Sequence, residues 1–302
     1  MTKLYLITGF LGAGKTTFLK EFAKLFAGQR IAVLVNEFGK EDVDGQLLKD
    51  LQARLASIYN GSIFCACRLE QFEQVLSEMA DEKPDIILVE TSGLSDPTSI
   101  QRILSNGEKY AGIRYMGCIC LADAVHFEKV YATAAACRKQ LETANAVVLN
   151  KIDLVANITG VRCFIHRQNP AVIILETAFG IIPPDWTEVF ECLPAVSGTG
   201  TLQIKDLSIQ SYVISVDETI PVERLIDFLK MFAAETYRIK GFVSLNGSGY
   251  FADCVGSDIK VTARENGGNS NRLVVLAGHG MRTLPAMKQA AENARPFHIR
   301  IE

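Results

Sequence analysis

Residues 9–17 read Gly9-Phe10-Leu11-Gly12-Ala13-Gly14-Lys15-Thr16-Thr17. They follow an apolar, strand-like run, Leu4-Tyr5-Leu6-Ile7-Thr8, and lead into a helical pattern from Thr17 to Phe26. A strand, then G-x-x-x-x-G-K-T, then a helix is the context in which a phosphate-binding P-loop works. Glycines leave backbone N–H groups clear to converge on phosphate oxygens, which a Cβ would obstruct. The helix N-terminus adds partial positive charge. Gly9, Gly12, Ala13, Gly14, Lys15, Thr16 and Thr17 are therefore the expected phosphate contacts. Lys15 is expected to reach the β- and γ-phosphates, and the Thr16 hydroxyl to bind Mg²⁺.

Working outward, strand and helix patterns alternate through about the first 180 residues, which predicts a mostly parallel sheet covered by helices. Ile31–Val35 reads as the second buried strand and runs into Asn36-Glu37-Phe38-Gly39. Residues 37–45 are acidic, and a polar loop at the carboxyl end of a parallel strand is where such sheets bind ligands. We read it as a loop that moves near the phosphates. Asp85-Ile86-Ile87-Leu88-Val89-Glu90 is a buried strand closed by a carboxylate, with Thr91-Ser92-Gly93 directly after it. An acid in this position can hold a Mg²⁺-bound water, as the second acidic motif does in P-loop NTPases. The Gly93 N–H is placed to meet a γ-phosphate. Lys15, Thr16 and Glu90 are the candidate catalytic residues.

Ala146-Val147-Val148-Leu149 is a later strand that ends in Asn150-Lys151-Ile152-Asp153, an N-K-x-D tetrapeptide. A carboxylate here accepts hydrogen bonds from guanine N1–H and the 2-amino group together. Adenine offers neither donor, and a buried acceptor left unpaired is discriminated strongly. Asn150, Lys151 and Asp153 thus favour GTP over ATP. Thr177-Ala178-Phe179-Gly180 is read as a segment able to close over the base. Pro183-Pro184 and Pro194–Thr201 resemble a linker, and the pattern then changes. Strand-like runs at 211–216, 241–245, 249–251, 259–262 and 272–276, with helices at 222–236 and 283–293, predict a smaller α+β domain. The expected division is a P-loop GTPase domain over 1–190, a linker over 191–205 and the α+β domain over 206–302.

Composition sets the outer bounds. The chain has 302 residues, 48% hydrophobic and 22% charged, with a net charge of −3, which suits a globular protein and carries no basic excess calling for nucleic acid. No apolar stretch is long enough to span a membrane. The N-terminal apolar run is broken by Gly9, Gly12 and Gly14, unlike a secretory signal. Eight scattered cysteines are not a compact disulfide framework. A cytoplasmic location with reduced thiols is the expectation.

Taken together, GFLGAGKTT, NEFG, the Asn60-Gly61 turn before a cysteine segment, ILVETSGLSDP and LNKID resemble the CobW-type GTPases, relatives of the urease and hydrogenase nickel-insertion GTPases. The resemblance covers nearly the whole chain and is strongest over residues 5–154. It implies GTP hydrolysis coupled to delivery of a transition metal, Zn²⁺ or Co²⁺, or of a metal-containing cofactor, to a client metalloprotein. Self-association is compatible with it. Family members hold the metal with C-x-C-C just after N-G. Here that stretch is Ser62-Ile63-Phe64-Cys65, so only Cys65 matches, and Cys67 follows two residues on.

We expect Ser57–Cys65 to form a hairpin that leads into Cys65-Ala66-Cys67-Arg68. In an extended segment the two thiols would share a side, and Arg68 would favour their ionised forms. Glu37, Glu41, Asp42, His126 or a partner would complete the ligands. The packing alternative is two small buried residues. Cys118 and Cys120, on a central strand, are read as packing. His166, His279 and His298 are scattered singly. A second reading is a GTP-gated docking chaperone for a cofactor-dependent enzyme, such as a corrinoid protein, that handles no free metal. A third is a pure binding module with a degenerate site, which the intact Lys15, Thr16 and Glu90 oppose. With no obvious catalytic base, turnover is expected to be slow without a partner.

Overall fold

Strand β1 (Thr2–Gly9) supplies Tyr5 and Ile7 to one apolar cluster and Leu4 and Leu6 to another, because successive side chains of a strand point to opposite faces. In the computed structural model it lies at the centre of a seven-stranded sheet of order β3-β2-β4-β1-β5-β6-β7. The other strands are β2 (Ile31–Glu37), β3 (Arg54–Tyr59), β4 (Ile86–Glu90), β5 (Ile113–Asp123), β6 (Ala146–Asn150) and β7 (Ile173–Glu176). Every pairing is parallel. The structure describes residues 1–37, 54–59, 66–104, 110, 112–193, 209–264, 271–278 and 281–302.

Helices cover both faces of this sheet. Helix α1 (Lys15–Lys24) packs Phe18, Leu19 and Phe22 onto one face, where Trp186 and Phe190 join them. Phe22 touches four aromatic rings, with centroids 5.1 Å from Tyr5, 5.4 Å from Phe18, 5.3 Å from Phe26 and 4.8 Å from Phe190. Helices α2 (Ala66–Asp81) and α3 (Thr98–Leu104) cover the other face with Phe72, Leu76, Met79, Ile100 and Leu104. Helices α4 (Phe127–Thr133), α5 (Ala135–Glu142), α6 (Thr159–Gln168) and α7 (Trp186–Glu191) complete the α-helices described before residue 194.

The chain splits into two compact units, Met1–Tyr131 with Ala135–Lys205, and Ala132–Ala134 with Asp206–Glu302. The second contains an antiparallel sheet of order β11-β10-β9-β12-β8-β13. Its strands are β8 (Ile209–Val216), β9 (Arg238–Leu245), β10 (Ser248–Val255), β11 (Asp258–Arg264), β12 (Arg272–Gly278) and β13 (Ile299–Ile301). Helices α8 (Val222–Lys230) and α9 (Thr283–Asn293) bury Leu225, Phe228, Leu229, Met287 and Ala290 with Ile214, Ile239, Val243, Leu273 and Val275. The architecture is therefore a P-loop-type parallel α/β sheet with a smaller α+β part.

Several expected elements are corrected. Helix α2 begins at Ala66, so Cys67 lies in its first turn and not in an extended segment. The apolar period of Leu69, Phe72, Leu76 and Met79 continues back to that point. Residues Arg54 and Leu55, ahead of the stretch read as a hairpin, open β3, whose parallel partner is β2. The stretch after Pro183-Pro184 forms α7, with Pro184 placed just ahead of it. The expected 222–236 helix stops at Lys230 and is followed by a 3-10 turn, Ala233–Glu235. Strand β13 and helices α3 and α4 were not anticipated. Phe38–Gly45, Asn60–Cys65 and most of the expected linker lie outside the described residues, as does His279.

Candidate nucleotide site

The parallel register brings one end of every central strand to the same edge. Ile7 pairs with Glu90, Gly9 with Leu121, Asp123 with Asn150 and Leu149 with Glu176. The chain moves from β1 across β4 to β2, and later to β5 on the other side, so β1 marks the point where strand order reverses. Ligands of open α/β sheets bind at the carboxyl ends there, and residues 9–17 turn at this place.

Within the loop, Gly14 has φ 96°, in the left-handed region, and caps α1. A Cβ added to it would lie 2.4 Å from Asn150 Nδ2. Glycine is thus required twice, for its backbone and for close approach. The Asn150 carboxamide joins two segments: Nδ2 donates to the Ala13 carbonyl at 3.0 Å, and Oδ1 accepts from Gly180 N–H at 3.1 Å. Asn150 is buried. It fastens the phosphate loop to the loop after β7, which itself accepts from Ile152 N–H through the Thr177 carbonyl.

Thr16, in the first turn of α1, donates from its hydroxyl to Glu90 Oε1 at 3.1 Å. Glu90 is only 5% exposed. A hydroxyl and a carboxylate side by side at a helix N-terminus are hard oxygen donors of the kind Mg²⁺ takes. Lys15 is buried and donates to the Phe10 carbonyl at 3.1 Å, within its own loop. Thr91, after Glu90, donates through its hydroxyl to Thr8 and through its N–H to the Ile7 carbonyl, joining β4 to β1 beneath the loop. Gly93 packs against Leu11 of the phosphate loop.

Lys151 adopts a left-handed conformation, φ 64°, and its ammonium donates to Asp123 Oδ2 at 2.7 Å. Asp123 also accepts from Val125 N–H at 2.9 Å and lies 3.2 Å from His126 Nδ1. Burial alone would raise the Asp123 carboxyl pKa; hydrogen bonds from His126 and Lys151, with their charges, overcome this and hold it at about 2. Asp153 lies on a 3-10 turn, Ile152–Leu154, and is exposed. Phe179 is 70% exposed with φ 57°, one residue before the Gly180 that Asn150 holds.

The phosphate-loop residues, Glu90, Gly93, Asn150 and Lys151 therefore converge at one edge. Asp123 joins the set without having been singled out as a site residue, while Gly180 belongs to the segment read as able to close over the base. The available signal for Asp123 was the one used for Glu90, an acid closing a buried strand. The bond from Gly180 N–H to Asn150 becomes visible only when β6 and β7 lie side by side.

Among the described residues no group of three or more His, Cys, Asp or Glu is arranged to hold a metal. Glu37 ends β2 and Cys67 lies in the first turn of α2, while Cys65, Glu41 and Asp42 lie outside the described residues. His126 faces Asp123. Cys118 and Cys120 are buried free thiols. Burial pushes the Cys118 thiol upward and the Cys120 thiol up to about 12, against the pull of Lys15 on the latter. Such thiols stay protonated and unreactive. No described helix is long and apolar enough to cross a membrane.

Residues 3–177 match the family described as the CobW/HypB/UreG nucleotide-binding domain, and residues 209–292 match the cobalamin synthesis protein cobW C-terminal domain. The zinc chaperone YjiA of Escherichia coli (strain K12) is 34% identical over 157 residues, 49% of this chain and 49% of that protein. The zinc chaperone CobW of Pseudomonas aeruginosa is 31% identical over 214 residues, 59% of this chain and 57% of that one. The chain spans about half the length of the curated relatives it matches. The crystal structure of Zn(II)-bound YjiA GTPase from E. coli shares the fold with a TM-score of 0.50 at 20% identity, over 97% of this chain and 99% of that one.

Proposed function

The chain belongs to the CobW/HypB/UreG nucleotide-binding family, and from that premise we propose that it hydrolyses GTP and couples nucleotide state to delivery of a transition metal to a client protein. The observation that carries the nucleotide half is the Asn150 carboxamide, bonded at once to the phosphate loop and to the loop after β7. One ligand with phosphates at one end and guanine at the other would touch both. Gly12, Gly14, Lys15 and Thr17 bind phosphate, and Asn150, Lys151 and Asp153 read the base. Thr16 and Glu90 would hold Mg²⁺, which when bound supplies charge neutralisation for the phosphates. Glu90 orients a water near the γ-phosphate, and Gly93 donates to that phosphate.

The metal half is supported by relatives named zinc chaperones. The metal is cargo here, and Cys65 and Cys67, with Glu37 or a partner, are its proposed ligands. With α2 starting at Ala66, Cys67 lies in its first turn, where the helix dipole favours ionised sulfur. The docking-chaperone reading differs in needing no such pair.

The test is a hydrolysis assay together with a Zn²⁺ titration of reduced protein carrying GDP or a non-hydrolysable GTP analogue. GTP turnover should fall at least about hundredfold in Lys15→Ala. Zn²⁺ affinity should differ between nucleotide states and be lost when Cys65 and Cys67 become serine. Turnover unaffected by Lys15→Ala would remove the GTPase reading. Zn²⁺ binding indifferent to both cysteines would remove the cargo reading and favour the docking chaperone.

A further inference from the structure

The segment after β4 is held from two sides. In front, Gly93 lies on the phosphate loop so closely that an added Cβ would sit 2.5 Å from Leu11 Cδ2 and 2.7 Å from Leu11 N. Behind it, the carboxamide of Gln140 on α5 donates from Nε2 to the Gly93 carbonyl at 3.1 Å and to the Ser95 carbonyl at 3.0 Å. The turn between them is closed by Ser95 N–H donating to the Ser92 carbonyl. Gln140 is 0% exposed. Its Oε1 has no hydrogen-bond partner among the described residues. A buried amide oxygen left unpaired is unfavourable, so the stabilising work of this side chain lies in its two N–H groups. Both are spent on this one segment.

We propose that Gln140 is a positioning residue for γ-phosphate recognition. By fixing the carbonyls of Gly93 and Ser95 it holds the turn in which Ser95 N–H pins the Ser92 carbonyl, and the Ser92–Gly93 peptide so held aims Gly93 N–H at the γ-phosphate. Helix α5 runs through Thr143-Ala144-Asn145 into β6, which ends at Asn150. The same side chain therefore ties the γ-phosphate segment to the strand that carries the guanine-reading residues. This inference rests on the guanine-nucleotide reading above.

The experiment measures the affinities of wild type, Gln140→Met and Gln140→Glu for GDP and for GTPγS by calorimetry with Mg²⁺, from pH 6 to 8.5. Methionine keeps the volume and removes both donors. Its ratio of GTPγS to GDP affinity should fall about tenfold with GDP binding nearly unchanged. A carboxylic acid donates one bond when protonated and none when ionised, so the ratio for Gln140→Glu, relative to wild type at the same pH, should recover as pH falls. A ratio unchanged in Gln140→Met, or two affinities falling in step, would overturn the proposal. If Gln140→Met does not fold, the pH series on Gln140→Glu decides, and absence of recovery overturns it. Wild type binding neither nucleotide would remove the guanine-nucleotide reading itself. Intact preference in both variants would remove only the role given to Gln140.

Discussion

At the scale of single residues, the site is built from polar side chains that each hold two things. Asn150 holds two loops, and Asp123 holds Lys151 while accepting from Val125 N–H and His126. The Asp123 carboxyl, held at about 2 against an ordinary value near 4, titrates lower in the folded chain than in the unfolded one. Its contribution to stability is thus present above pH ~4 and lost as pH falls from ~4 towards ~2, and it amounts to about 2 kcal/mol. Urea unfolding of Asp123→Asn at pH 7 should show at least that loss, with a smaller decline than wild type between pH 4 and 2. An identical acid dependence in the two proteins would mean that Asp123 is not so held. The acids at strand ends were legible in the sequence as a type, since Glu90 and Asp123 each close a buried run. The partner of each was not, because Thr16 is 74 residues from Glu90 and Lys151 is 28 from Asp123.

At the scale of elements, α1 does most to seat the phosphate loop. Its N-terminus is capped by Gly14, and its inner face is a row of aromatic rings centred on Phe22. Phe22 is fully buried, so Phe22→Ala leaves a cavity the surrounding rings cannot fill and should cost about 3–5 kcal/mol in chemical denaturation. A cost below about 1 kcal/mol would mean that the aromatic row repacks. Periodicity revealed α1, the central strands and α9, because each long segment has one dominant apolar spacing. It left Cys67 in an extended segment, because Cys65-Ala66-Cys67-Arg68 carries no large apolar residue to mark where α2 begins. It also joined Val222 to Thr236 into one helix, because Phe232 and Ala233 keep the apolar spacing after the helix has ended; both are buried.

At the scale of the whole molecule, a ligand that binds only the folded chain raises its melting temperature. At one hundred times its dissociation constant, GTPγS with Mg²⁺ should add about 2.7 kcal/mol, a rise of several degrees for a unit of this size, and ATPγS should add little. Asp153→Asn should reverse the base preference. The xanthine 2-oxo group accepts where the guanine 2-amino group donates, so a xanthosine triphosphate should protect this variant and GTPγS should not. Equal protection of the variant by GTPγS would show that Asp153 does not read the base. The sequence by itself determined the parallel α/β fold and the phosphate loop. G-x-x-x-x-G-K-T between a strand and a helix is a local pattern, and local patterns act through neighbours in the chain. Tertiary structure alone decided that Asn150 bridges two loops, that Asp123 faces Lys151 and that Gln140 grips Gly93 from behind. Those contacts join residues far apart in sequence, and only the order in which strands lie side by side sets their distances.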